Sequence, residues 1–252
     1  VKFAFNFKAA KERYNFRFKF AFTNKLSENY SYGRKIHYEF LNIEGTMTET
    51  IYFVDQDSDY ALIQLHGGAY VSGYNDSYRK TAKKYLLSHK NLKVFSLCYS
   101  LAPKHPFPKA LEEAVNLYKY LLDDGFPPEN ILVAGDSAGG GLSLALGLAL
   151  KDRSLPLPKA IITMSAWTDF AAEGKSYQIN KDKDPFFGSG TIPLPKKSYS
   201  GDYDYRHPYI SPKYGDFNNF CDLLMFVGSH ELIESDTLDL AEKVDNAIVH
   251  DF

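Results

Sequence analysis

The sequence predicts an α/β fold with a mostly parallel central sheet covered by helices on both faces. Two observations carry this. Short, nearly all-apolar runs alternate with amphipathic stretches from about residue 60 onward, the pattern of strands buried on both faces. One of those runs, Ile131-Leu132-Val133-Ala134, leads through Gly135-Asp136-Ser137-Ala138-Gly139-Gly140-Gly141 into the helical-looking Leu142-Ser143-Leu144-Ala145-Leu146. Strand, Gly-x-Ser-x-Gly and helix in that order lift the serine clear of the sheet on a strained turn. By itself the motif is equally compatible with a plain βα loop or a phosphate cradle.

Residues 1–30 are ambiguous. Phe3, Phe5, Phe7, Phe16, Phe18, Phe20 and Phe22 alternate as in a strand, yet Phe3, Phe7, Ala10, Tyr14, Phe18 and Ala21 share a helical face. Either way, an amphipathic segment packed on the domain is expected. Ile36–Leu41 and Thr48–Phe53 alternate across Gly45 as an antiparallel hairpin would. Tyr60–Leu65 reads as a buried strand ending in His66-Gly67-Gly68-Ala69-Tyr70, 76–89 as a helix, and Leu92–Leu97 as the next strand. From Pro108 an i, i+3, i+4 stripe (Leu111, Ala114, Val115, Tyr118, Leu121, Leu122) predicts a helix stopped by Gly125. After the motif helix come a strand at Ala160–Met164 and an aperiodic stretch over 170–210, long enough to be a lid. Leu223–Val227 resumes the sheet, followed by Gly228-Ser229-His230-Glu231 and a helix from Asp236 to Val244.

The 252 residues suit a single α/β domain, 1–252. A net charge of −2 offers no attraction to nucleic acid, and no apolar run reaches the roughly 20 residues of a membrane span. Two cysteines, Cys98 and Cys221, are too few for a disulfide framework and are expected as buried free thiols. With no signal-peptide pattern, a cytoplasmic location is the default, although a start at Val1 leaves room for an upstream leader.

Ligands of parallel sheets sit beyond the carboxyl ends of the strands. Ser137, the His66-Gly67-Gly68 loop, Glu231 and a late histidine, His250, all fall there. A serine nucleophile needs a general base, a carboxylate behind that base and donors for an oxyanion. The amides of Gly67, Gly68 and Ala138 are the candidate donors. Seven histidines compete for the base. His37, His66, His89 and His105 precede the serine, His207 lies in the aperiodic stretch, and His230 abuts the candidate acid. His250, last in a Ser–acid–His order, is the expected base. Glu231 is the expected acid, while Glu234, Asp236 and Asp239 crowd the same segment.

At these residues the sequence resembles the hormone-sensitive-lipase-like carboxylesterases and lipases of the α/β-hydrolase fold. The resemblance runs from about Lys35 to Phe252 and rests on His66-Gly67-Gly68-Ala69-Tyr70, Tyr99-Ser100-Leu101-Ala102-Pro103, Gly135-Asp136-Ser137-Ala138-Gly139-Gly140, His207-Pro208-Tyr209-Ile210-Ser211-Pro212 and His250-Asp251-Phe252. It implies Ser137 as nucleophile, His250 as base, Gly67, Gly68 and Ala138 as oxyanion donors, and His66 as support for the glycine loop. It is compatible with Glu231 as acid and leaves Asp236 open. It makes residues 1–30 a helical cap and the stretch 170–210 part of a lid. One departure stands out: between Val244 and His250 there is too little chain for both a connection and a strand, which implies residues missing near 243–245. A closing helix after Phe252 is also absent from the pattern.

The expected activity is ester hydrolysis through an acyl-enzyme on a small-molecule ester, with no metal and no cofactor. An amidase or deacetylase on the same residues, and a ligand-binding homologue without catalysis, are the alternatives. A homodimer is compatible with the sequence.

Overall fold

A computed structural model describes residues 26–184, 186, 187 and 196–252. Most of the segment expected as an N-terminal cap, and part of the expected lid, therefore lie outside the described residues.

The hairpin forms as β1 (Ile36–Ile43) and β2 (Thr46–Phe53), with Gly45 at φ 84° in the turn. It is followed by β3 (Tyr60–Leu65), α1 (Asp76–Ser88), β4 (Leu92–Leu97) and α2 (Lys109–Asp123). Then come β5 (Ile131–Asp136), α3 (Ala138–Asp152), β6 (Ala160–Met164), the short helices α4 (Ser176–Ile179) and α5 (Lys196–Ser200), β7 (Asp222–Val227), α6 (Glu234–Ala241) and β8 (Ala247–Asp251). One eight-stranded sheet results, in the order β1-β2-β4-β3-β5-β6-β7-β8. β2 runs antiparallel to both its neighbours, and every other pairing is parallel.

Parallel strands need crossovers, and the crossovers cover both faces. On one face Ala82 and Leu86 of α1 pack on Leu62, Val94 and Ala134. On the other, Leu117 and Leu121 of α2 and Leu144 and Leu148 of α3 pack with Ile63, Val133 and Ile161. Helix α3 is buried from Ala138 to Leu150, which explains why its sequence is apolar all round. Asn75 caps α1, its side chain accepting the Ser77 N–H at 2.9 Å.

The last helix ends at Ala241, three residues short of the Val244 expected from its pattern. Residues 242–246 then form the connection, and Ala247–Asp251 pairs along β7 from Leu223↔Ala247 to Val227↔Asp251. The two cysteines are free and half-buried rather than fully buried, and burial pushes both thiols up to about 12.

Two backbones approach closely where α3 meets the end of β3. A Cβ on Gly139 would collide with the carbonyl oxygens of Leu65 and His66, which are main-chain atoms unable to step aside. Gly125, at φ 97°, has nothing within 4 Å of the same position. Gly139→Ala is therefore expected to destabilise the fold by about 3 kcal/mol or more through overpacking. Gly125→Ala should cost only about 1–2 kcal/mol of left-handed strain. Urea unfolding midpoints of the two variants check the difference.

Candidate active site

Ser137 stands between the last residue of β5 and the first of α3, at φ 50° and ψ −119°. A residue with a Cβ is strained there, and the surroundings fix it. Its N–H donates to Met164 O at 3.0 Å, and its carbonyl accepts the N–H groups of Trp167 (2.9 Å) and Gly141 (3.0 Å). Gly135, Gly140 and Gly141 let this turn close, because Cβ atoms on them would strike Gly139 O, Ala166 Cβ and Trp167 O respectively. Ser137 opens onto a cavity of about 320 Å³. Its apolar wall is Met164, Phe186, Phe187 and Ile233, and its polar wall is Asp136, Ser165, Asp184 and Glu231.

Glu231 is thus in the same cavity as Ser137. Its carboxylate accepts the Ser165 hydroxyl at 2.9 Å and the Gly228 N–H at 3.1 Å. Burial raises its pKa, and the charges of Asp184 and Asp251 push the same way. Asp236 is elsewhere. Fully buried, it accepts the N–H groups of Thr168 and Asp169 and the Tyr177 hydroxyl, tying α6 to the loop after β6. Burial raises Asp236 well above the ordinary carboxylate range, and the Asp169 charge adds to this. Asp239 ion-pairs with Lys213 at 2.6 Å, and Glu234 accepts the Asn180 amide at 2.6 Å. Of the four carboxylates in the segment, Glu231 alone lines the cavity.

The described part of the expected lid braces the Glu231 loop. Asn180 donates to Ser229 O (3.2 Å) and Glu231 O (2.9 Å). The Asp184 carboxylate accepts the N–H groups of Phe186 (2.7 Å), Phe187 (2.8 Å) and Leu232 (2.7 Å).

His250 is not brought to Ser137. It lies within β8, in register with Phe226, which pairs with Met164, which pairs with Asp136. Three strand spacings of ~4.8 Å put it roughly 14 Å away along the sheet. Its exposed ring stacks on Phe226, with centroids 5.1 Å apart and planes at 13°. The short connection after α6 leaves His250 inside the ladder rather than in a loop beyond it. Among the described residues no histidine lines the cavity.

The loop His66–Tyr70 also differs from expectation in one donor. The Gly67 N–H is engaged by Tyr78 Oη at 2.9 Å and Asp136 Oδ1 at 3.1 Å. Among the described residues the Gly68 and Ala69 N–H groups donate to no main-chain carbonyl, and Ala138 opens α3, where an amide has no intrahelical acceptor. The open donors are therefore Gly68, Ala69 and Ala138. His66 is buried under this loop, stacked on Tyr99 at 3.9 Å, with Nδ1 at 2.8 Å from Gly67 O. Burial lowers its pKa to about 4, so the ring is neutral and Nδ1 is the donor. Sequence reasoning missed Ala69, Ser165 and Asp136. Only Asp136 had a signal, a carboxylate beside the serine inside the motif.

The two candidate acids should separate by what their loss damages. Asp236→Ala strands two buried N–H groups and is expected to cost about 3 kcal/mol of stability. Glu231→Ala loses one hydroxyl and one amide contact at a half-buried site and should unfold within about 1–2 kcal/mol of the parent. Urea melts of both variants check this.

A family model described as the alpha/beta hydrolase fold matches residues 62–250. An acetyl-hydrolase of Streptomyces hygroscopicus is 38% identical over 181 residues, covering 72% of this chain and 60% of that protein. An esterase of Acinetobacter venetianus is 31% identical over 189 residues, covering 75% of this chain and 62% of that protein. The chain thus spans about three fifths of the length of these relatives. The crystal structure of an esterase from the bacterial hormone-sensitive lipase family superposes with a TM-score of 0.82 at 29% identity, covering 98% of this chain and 81% of that one. The match across three quarters of the chain, on a sheet that carries its serine at a strained strand-to-helix turn, makes this protein a member of the α/β hydrolase fold family, similar to its hormone-sensitive-lipase-like branch.

Proposed function

We propose that the protein is a serine hydrolase of carboxylic esters with short to medium acyl chains, working through an acyl-enzyme. The observation that carries this reading is Ser137 itself, held in a strained conformation over a cavity at the N-terminus of α3. Ser137 Oγ attacks the ester carbonyl as a base takes its proton. The N–H groups of Gly68, Ala69 and Ala138 donate to the oxyanion, the alcohol leaves with that proton, and water then releases the acid. The names of the relatives, acetyl-hydrolase and esterase, support an ester, and the small, apolar-walled cavity supports a short acyl group.

His250 is the proposed base and Glu231 the carboxylate that orients it. For this His250 has to leave its register with Phe226 and stand beyond the strand ends, between Glu231 and Ser137. A connection longer than residues 242–246 would permit that, and we include in the proposal that residues are missing near 243–245. Sequencing the expressed transcript across this region tests that part directly. The segments 1–30 and 170–210 are the proposed cap over the acyl site.

A non-catalytic, ligand-binding reading has one observation in its favour, the two strands between Ser137 and His250. The two readings part in a simple assay. The hydrolase is expected to turn over p-nitrophenyl acetate and butyrate and to lose at least about 10³-fold of kcat in Ser137→Ala and in His250→Ala. A fluorophosphonate should label Ser137 and no other serine. Absence of both labelling and turnover in the parent protein favours the binder.

A further inference from the structure

The carboxylate beside the nucleophile has no part in the chemistry above, yet it is costly to keep. Asp136 ends β5, and its side chain lies between the Ser137 cavity and a second cavity of about 260 Å³ on the α1 side, lined by Gln64, Ser77, Tyr78, Thr81 and Tyr85. Its Oδ1 accepts the Gly67 N–H at 3.1 Å and its Oδ2 accepts the Tyr78 hydroxyl at 3.1 Å. A Cβ on Gly67 would lie 3.1 Å from Asp136 Cγ and 3.0 Å from Asp136 O, so glycine is what lets the carboxylate approach.

We propose that Asp136 is a positioning residue for ester hydrolysis, clamping the root of the oxyanion loop so that its next two amides stay aimed at the substrate oxygen. The proposal rests on the esterase reading above. The loop is three successive peptide planes, and in a trans peptide the C=O and N–H point in opposite directions. The His66–Gly67 plane is held at both ends, by Asp136 and Tyr78 on its N–H and by the Tyr99 hydroxyl on its carbonyl at 2.6 Å. The Gly67–Gly68 plane is held by His66 Nδ1 on its carbonyl, which fixes where the Gly68 N–H points. The Gly68–Ala69 plane is held by Val71 N (3.0 Å) and Ser72 N (2.9 Å) on its carbonyl, which fixes the Ala69 N–H. The last two planes are secured within the loop. Among the described residues only the first is tied to the strand that carries Ser137, and Asp136 makes that tie. The carboxylate therefore couples donors on β3's loop to the nucleophile on β5.

A neutral acceptor would serve packing at lower cost. Burial pushes Asp136 up to about 6, with the Tyr78 and Gly67 hydrogen bonds pulling it back. Its ionised form is favoured above that value and lost as pH falls through it. The groups facing it are Tyr78 and Tyr85 from α1 and Tyr99 after β4, with Asp184 and Glu231 lining the same cavity and His66 packed on Tyr78.

Asp136→Asn and Tyr78→Phe in the full chain test the assignment with p-nitrophenyl butyrate. Asp136→Asn is expected to lower kcat on the order of 10- to 100-fold with KM within about twofold. Because a buried charge is removed, its Tm at pH 8 should be no lower than the parent's. Tyr78→Phe removes a hydrogen bond that lowers the Asp136 pKa, so the acid limb of its kcat/KM profile should move to higher pH. Wild-type kcat in Asp136→Asn, or a kcat loss that merely follows a fall in Tm, overturns the positioning role, as does an unmoved acid limb in Tyr78→Phe. Turnover in the parent that survives Ser137→Ala, or no turnover at all, instead overturns the esterase reading and the positioning role with it.

Discussion

The structure depends on the contact of two backbones, where the first turn of α3 meets the end of β3 at Gly139. No side chain fits between them, so the chain must turn sharply at Ser137, and its positive φ follows from the closeness of the two elements. The same approach sets the start of α3 beside the loop after β3, which brings the Ala138 amide and the Gly68 and Ala69 amides into one region. The strain at Ser137 is borne by three main-chain hydrogen bonds reaching to Met164, Trp167 and Gly141. These bonds are drawn from β6, the loop beyond it and α3, so the serine cannot relax without moving the sheet.

The second feature is how the site handles charge. Three carboxylates, Asp136, Asp184 and Glu231, line the cavity. Each is answered by main-chain N–H groups and hydroxyls: Gly67 and Tyr78 for Asp136, three amides for Asp184, Gly228 and Ser165 for Glu231. Fixed dipoles of this kind hold a carboxylate in place. Desolvation still outweighs them at Asp136 and Glu231, whose pKa values rise. Where Asp236 is concerned, the same physics has a different use. Its buried carboxylate joins α6 to the loop after β6, away from the cavity.

Much of the fold was legible in advance because it rests on local signals. The strands at Tyr60–Leu65, Leu92–Leu97 and Ala160–Met164 match the runs read from the sequence residue for residue, because Gln64, Lys93, Ser96 and Thr163 interrupt them too sparsely to hide their apolar majority. Helix α2 follows its stripe and its terminal Gly125 in the same way. The final helix ends three residues before its sequence pattern does, because the connection to β8 needs that chain. Among site residues, Ser137 was legible from strand, motif and helix together. The spent Gly67 amide was not, because its partners stand 11 and 69 residues away in sequence.

What the sequence determined alone was the class of fold, the position of the strained turn at Ser137 and the short list of carboxylates and histidines around it. These follow from periodicity and from glycine spacing, which are properties of neighbouring residues. Only the tertiary structure decided among the members of that list. It put Glu231 in the Ser137 cavity and Asp236 in a structural joint, replaced Gly67 by Ala69 among the open amides, and left His250 paired beside Phe226. Those choices turn on strand order, register and the partners of single N–H groups, and contacts between distant parts of a chain leave no periodic trace in it.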